Sequence, residues 1–466
     1  MDRKAALYRT IWRWHFYAGL FVIPLILILS VTGGFYLFKP QVDGWEERAF
    51  RGLSAEAAVS PDAQVRAALA AFPGASFHSY RLPEAEGDAA LVHVGLAGPD
   101  KAMRDVFVSP QGKVVGALDP KQRIMQIAHD IHGQLLLGHR GSWLVELAAS
   151  WAIVMVITGL FLWWPRGRGM AGVVWPRLGQ GSPTAWRDAH AVTGFWVSGL
   201  AMVLLLTGLP WADVWGSAFK AVRTEMGWIK GPQDWTIGGR APDAGEHAEH
   251  DHAAMMAAGG KAAGMAGGMA GGMQHDMAGM VHVPLSTIVA RAKSEHLPFP
   301  VILTPPGGKQ RFGKKAVMAW TARSDTQNRP ERVTITYDAM SGQETQREVF
   351  ADKHVIDRVV GYGVAWHEGA LFGLVNQLIG VATALALVLL AVSGFVMWRR
   401  RKPEDALGAL PPPQLAGRGA GLTLLILALA LFLPLFAISL LALWLIDRLV
   451  LPRTPGLARW MGLPAG

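Results

Sequence analysis

The chain contains no cysteine, which excludes disulfides, thiol nucleophiles and cysteine-ligated iron–sulfur clusters. Charge is also scarce. Asp, Glu, Lys and Arg make up 17% of the 466 residues against 51% hydrophobic ones, and the apolar residues fall in long blocks, which excludes an ordinary water-soluble globule. Nucleotide-binding signals are missing as well. The one match to G-x-G-x-x-G, at 167–172, follows a long apolar run instead of a strand and has no βαβ unit around it, so no dinucleotide- or flavin-binding domain is visible. Acidic residues are outnumbered, giving a net charge of +9, but the excess lies in a few short segments and does not argue for nucleic-acid binding.

What is present is a set of uncharged runs at 14–38, 147–165, 189–212, 369–398 and 419–446, each near or above the roughly 20 residues needed to span a bilayer. They predict five transmembrane helices. The first run is too long for a signal-peptide core and lacks a small-residue cleavage site, so it is expected to stay as an anchor. Residues 1–14 carry four Lys/Arg against one acid, 165–190 four against one, and 399–418 five against two, which places these segments in the cytoplasm and the long connections 39–142 and 212–368 outside. An odd fifth span would put the C-terminus outside too, against the weak opposing signal of Arg448, Arg453 and Arg459. Tryptophans 12, 14, 143, 163, 164, 186, 366 and 398 mark span ends, as an aromatic belt does. The expected organisation is a cytoplasmic N-terminus and first span (1–38), an outer domain (39–128), a second span with an outer histidine motif (129–165), a cytoplasmic loop (166–189), a third span (190–211), a second outer domain (212–366), a fourth span (367–398), a cytoplasmic linker (399–419), a fifth span (420–447) and a C-terminal tail (448–466).

The spans repeat. His15 and His190 are each followed by a glycine four residues on (Gly19, Gly194) and by Thr-Gly 17 on (Thr32-Gly33, Thr207-Gly208). His132 and His367 each precede a glycine by six (Gly138, Gly373) and Thr158-Gly159 or Ser393-Gly394 by 26. The outer connections repeat too: 61–72 and 284–296 read as short amphipathic helices, and "DVFVSPQGKVVG" (105–116) and "VTITYDAMSGQETQ" (333–346) as strand pairs about a Gly turn. The pattern is an internal duplication of a helix–outer domain–helix unit, with the fifth helix appended.

"HFYAGLFVIPLILILSVTGGFYLFKP", "IHGQLLLGHRGSWLVELAASWAIVMVITGLFLWWPR", "DKHVIDRVVGYGVAWHEGALFGLVNQLIG" and "SGFVMWRRR" resemble the PepSY-associated transmembrane family over roughly residues 8–402. The resemblance implies a mainly α membrane bundle of five transmembrane helices with two small α+β PepSY-like periplasmic domains, in the inner membrane of bacteria. It also implies a kinship with iron-regulated membrane proteins and haem-containing ferric-siderophore reductases.

By spacing, His15 and His190 lie at the cytoplasmic ends of their helices, and His132 and His367 at the outer ends, one pair per membrane face. A b-type haem needs two neutral imidazoles from different helices at one depth. Two haem b groups are therefore expected, with Gly19 and Gly194 leaving room for the macrocycle and Arg13, Arg187 and Arg140 placed to meet propionates. Thr32 lies roughly 25 Å beyond His15, but His132 lies roughly 39 Å before Thr158 if its helix is unbroken. His132 is thus expected at the outer interface, or its helix breaks at "GHRGS" and folds back. His129 is a rival outer ligand, and His129, His132 and His139 could instead form a metal site of their own.

Residues 245–282 hold seven methionines and five histidines in a Gly/Ala-rich background that cannot build a core. His247, His250, His252, Met265, Met269, Met273, His275, Met277 and His282 could capture a soft metal, copper above all. The expected function is a dihaem electron-transfer protein, a membrane-bound oxidoreductase that takes electrons from a separate donor or quinol and reduces a ferric siderophore or other ferric chelate. The alternatives are a copper-handling membrane protein acting through the His/Met segment without redox haem, and a protease regulator acting through the outer domains.

Overall fold

The computed structural model describes residues 3–99, 102–165, 170–228, 282–307, 318–412 and 420–463. Among the described residues, five helices are long and apolar enough to cross a membrane: Lys4–Tyr36, His139–Trp163, Ser182–Trp211, Gly373–Arg401 and Pro434–Arg453. The chain is a multi-pass membrane protein. Its described helices are α1 (Arg3–Tyr36), α2 (Lys39–Glu46), α3 (Pro61–Ala71), α4 (Ile124–Gln134), α5 (His139–Trp163), α6 (Ser182–Gly208), α7 (Asp213–Glu225), α8 (Leu285–Ser294), α9 (Val355–His367), α10 (Gly373–Arg401), α11 (Ala420–Phe432), α12 (Pro434–Leu445) and α13 (Pro455–Trp460). Helix α1 packs on α5 and α10, and α6 packs on the same two, closing a ring of four.

The second span does not continue through its histidine motif. Helix α4 ends at Gln134 and α5 begins at His139, with Leu135, Leu136 and Gly138 between them in the left-handed region at φ 51°, 57° and 60°. The break falls just ahead of "GHRGS" and folds α4 back along α1. At the corresponding joint between α9 and α10, Gly373 has φ 55°. A glycine meets that conformation without a Cβ clash, which is why a glycine follows each of these two histidines by six residues.

The two long connections, 39–142 and 212–368, each contribute four strands to one sheet. Strands β1 (Ser76–Arg81), β2 (Ala90–Gly95), β3 (Met103–Val108), β4 (Val114–Leu118), β5 (Val301–Thr304), β6 (Ala319–Ser324), β7 (Val333–Asp338) and β8 (Glu344–Val349) run in the order β4-β3-β2-β1-β5-β6-β7-β8. The seam is the antiparallel pairing of Tyr80 with Leu303 and Arg81 with Ile302. Each four-stranded piece alone would expose β1 or β5 as an unpaired edge, and joining them removes both edges. The far face is covered by α3 and α8 in one shared core, where Val65 and Ala68 pack with Ile288, Val289, Tyr80 and Leu303. The Asp62 carboxylate accepts the backbone N–H of Leu285 at 2.9 Å and of Ser286 at 3.0 Å, so α3 caps α8 across the seam.

The sheet is fastened to the bundle by an ion-pair network. Glu47 accepts both arms of Arg81, at 3.1 and 2.6 Å. Arg123, at the start of α4, reaches Glu47 at 2.8 Å, Glu46 at 3.3 Å and Asp43 at 3.7 Å. Burial works against the Glu47 carboxylate, but its hydrogen bonds and charge pairing with Arg81 and Arg123 outweigh it and hold the group below the usual carboxylate range. A depressed folded-state value gives stability that is present above the unfolded value and lost as pH falls through the folded one. Acidification below about pH 4 is therefore expected to loosen this joint. Glu47→Gln should lower the melting temperature at pH 7 and flatten its acid dependence, and an acid limb identical to that of the wild type would contradict the assignment.

The apolar run at 420–447 is divided at Leu433 and Pro434 instead of crossing as one helix. The Leu410 carbonyl is bonded to Arg13 near the start of α1, the Phe432 carbonyl accepts from Trp215 Nε1 beyond the far end of α6, and Trp460 returns to bond the Leu407 N–H. Helices α11 and α12 are therefore the limbs of a hairpin that closes on the side from which it starts. The expected outside C-terminus is corrected: residues 455–463 lie on the N-terminal side of the bundle, in keeping with Arg448, Arg453 and Arg459.

Candidate functional site

The four histidines of the repeat converge in two pairs inside the helix ring. The rings of His15 (α1) and His190 (α6) have centres 6.4 Å apart at an interplanar angle of 85°. Those of His132 (α4) and His367 (α9) are 6.2 Å apart at 72°. All four line one continuous cavity of about 2190 Å³, which also includes Gly19 and Gly194 and opens between the bundle and the sheet.

Each ring is held from a neighbouring helix. His15 Nδ1 is 2.9 Å from Thr158 Oγ1, His190 Nδ1 is 3.1 Å from Ser393 Oγ, His132 Nδ1 is 3.3 Å from Thr32 Oγ1, and His367 Nδ1 is 3.1 Å from Thr207 Oγ1. Next to each hydroxyl stands a glycine on which the ring rests. A Cβ there would meet the histidine Cε1 at 3.2 Å for Gly159, 3.5 Å for Gly394, 2.7 Å for Gly33 and 3.4 Å for Gly208. These Ser/Thr-Gly pairs are the same ones that mark the repeat in the sequence. Trp211 adds an edge-on contact to His367 at 5.4 Å.

A family profile described as the PepSY-associated TM region matches residues 12–401. The chain belongs to that family. The match ends with α10 and leaves the α11–α12 hairpin outside. No curated protein matches the chain.

The other residues singled out in this PepSY-associated TM protein divide. Arg187 lines the cavity. Arg13 does not: its guanidinium is buried against the carbonyls of Leu410 and Gly462 and the Tyr17 hydroxyl, so it clamps the C-terminal segment and is not free to meet a propionate. Arg140 is exposed at the start of α5, off the cavity wall. Arg400 and Arg401 instead line the cavity near His190, and the Arg401 guanidinium stacks over Trp12 at 4.9 Å. Their run "WRRR" reads in the sequence as a helix-ending basic anchor, which conceals this second placement.

His129, His132 and His139 do not converge. His129 packs beside Tyr36, with Nδ1 3.3 Å from Asp130, while His139 is exposed and bonds Asp213 at 2.9 Å. The break between α4 and α5 removes the single helix face that their spacing presupposed, and the ring that meets His367 is His132. Among the described residues, no group of three or more His, Asp or Glu is arranged to hold a metal ion. Of the proposed copper ligands, His247, His250, His252, Met265, Met269, Met273, His275 and Met277 lie outside the described residues. His282 lies within them, half-buried, next to Val283, whose N–H bonds the Ala339 carbonyl in the turn after β7.

Proposed function

We propose that this protein is a duplicated, dihaem b electron conduit of a bacterial inner membrane, its N-terminus cytoplasmic and its PepSY-like sheet periplasmic. In this reading His15 and His190 would hold the inner haem, and His132 and His367 the outer one. The observation that carries the reading is the spacing of the rings. An imidazole nitrogen binds a transition metal at about 2 Å and the ring centre lies about 1 Å behind it, so two rings sharing one axial metal have centres about 6 Å apart. Both pairs meet that distance, and the cavity is about twice the upper volume of a usual ligand pocket, about 1,000 Å³.

Haem, when bound, supplies one-electron redox chemistry at iron. The chain's own residues do the rest. The histidines fix the plane and depth of each site, Gly19 and Gly194 keep α1 and α6 clear, and the apolar wall excludes water. Arg187, Arg400 and Arg401 offer guanidinium donors to carboxylates at the inner end. At the outer end Arg81, Arg329, Arg332 and Glu368 line the opening towards the sheet, a mixed-charge mouth suited to an oxygen-rich ferric chelate such as a siderophore. Electrons enter from a separate cytoplasmic donor or from quinol, one per ferric iron reduced, and no acid or base is required.

Absorption spectroscopy tests the proposal. The purified protein should show a Soret band with sharp α and β bands on reduction. His15→Ala and His132→Ala should each remove about half of that absorbance, and both together nearly all of it. A colourless wild type, or one that takes up copper instead, overturns it.

A further inference from the structure

The hydrogen-bond chain behind each histidine decides which ring nitrogen is free. The Thr32, Thr158 and Thr207 hydroxyls donate to the carbonyls four residues back, Ile28 at 2.7 Å, Val154 at 2.8 Å and Val203 at 2.7 Å, and Ser393 donates to Leu390 at 3.1 Å. With its hydrogen committed there, each hydroxyl can only accept from the imidazole. A second acceptor stands beside it in every case, the carbonyl three residues before the hydroxyl: Leu29 for His132 at 3.0 Å, Leu390 for His190 at 3.1 Å, Met155 for His15 and Leu204 for His367. A carbonyl cannot donate, so Nδ1 must carry the proton and Nε2 presents a lone pair. The flanking glycine completes the seat by letting Cε1 come down onto the helix backbone, closest at Gly33.

We propose that the four Ser/Thr-Gly pairs are positioning elements that lock the histidines in the Nδ1–H tautomer and aim each Nε2 at the facing ring: Thr32-Gly33 for His132, Thr158-Gly159 for His15, Thr207-Gly208 for His367 and Ser393-Gly394 for His190. This rests on the dihaem reading for its redox consequence but not for its geometry. An acceptor on Nδ1–H raises the basicity of the liganding nitrogen and so favours ferric iron. Loss of the hydroxyl therefore weakens the ligand and moves the potential upward. Because each cradle stands on a different helix from the ring it serves, the inner and outer sites are tuned by separate residues.

The test uses the full chain with Thr32→Val/Thr207→Val (outer) and Thr158→Val/Ser393→Ala (inner). Spectroelectrochemical titration should show the outer haem shifting to higher potential in the first variant, with about ten-fold weaker retention of that haem and the inner haem unchanged. The second variant should show the reverse. Thr32→Ser/Thr207→Ser should restore wild-type behaviour. Nitrogen NMR of the ligand-free protein should show Nδ1–H imidazole at all four positions, and in the first variant the same tautomer with a weakened Nδ1–H hydrogen bond at the two outer ones, where only the Leu29 and Leu204 carbonyls remain as acceptors. Unchanged potential and retention, an equal response of both haems, or Nε2–H imidazole in the wild type would overturn the assignment. A wild type that keeps the Nδ1–H tautomers but binds no haem refutes the dihaem reading and supports the cradles.

Discussion

Gly141→Ala is expected to cost about 3 kcal/mol and to separate His132 from His367 while leaving the His15–His190 pair intact. A Cβ at Gly141 would land on the Gln134 backbone carbonyl, and a second contact would follow at 3.1 Å from Leu137 Cβ. Neither obstacle is the far end of a flexible side chain. The carbonyl belongs to the last turn of α4, and the link between them is already held in left-handed backbone at Leu135, Leu136 and Gly138. The only way to make room is to swing α4 away from α5, which carries His132 off Gly33. Thermal unfolding and NMR of the His132 and His367 imidazoles would measure both effects. Gly199→Ala, at a position with open space around it, is the control and should leave both unchanged. A Gly141→Ala variant as stable as the wild type would show that the α4–α5 joint is looser than this geometry.

The second large effect is expected at Arg223 and Asp357. The pair joins α7 to α9 at 2.6 Å, with Arg223 0% and Asp357 6% exposed. Removing one partner leaves an uncompensated charge in the interior, which costs about 3–5 kcal/mol, whereas replacing both with apolar side chains of similar volume is often neutral. Asp357→Ala and Arg223→Met should each lower the melting temperature sharply, and R223M/D357L should recover most of the loss. Helix α9 ends at His367, so the single variants should also loosen the His132–His367 pair before the rest of the bundle melts. If the double variant is no better than the singles, the pair is not acting as a unit.

Much of this architecture could be read from local pattern alone. The first four spans are written as uncharged runs between basic anchors, and the strand pairs of the outer segments as alternation about Gly112 and Gly342. The histidines stood out because their spacing repeats. What local pattern could not supply is partnership across the chain. Thr32-Gly33 lies 17 residues from His15 on the same helix, yet it serves His132; that pairing exists only once α4 folds back onto α1. The joining of β1 to β5 is likewise a contact between two edges far apart in sequence, with no signal in either strand alone. Arg13 and Arg401 both carry a charge at the right depth, and only the path of the C-terminal hairpin determines which of them faces the cavity. The hairpin itself had one visible cue, Pro434 inside an apolar run, but a proline can kink a continuous span as readily as reverse it.

Every imidazole pair takes one ring from the first half of the chain and one from the second, while each ring's hydroxyl seat comes from its own half. Neither half of the chain therefore carries a complete pair, and each site exists only where the two halves meet. One half expressed alone would keep seated imidazoles with no ring opposite them.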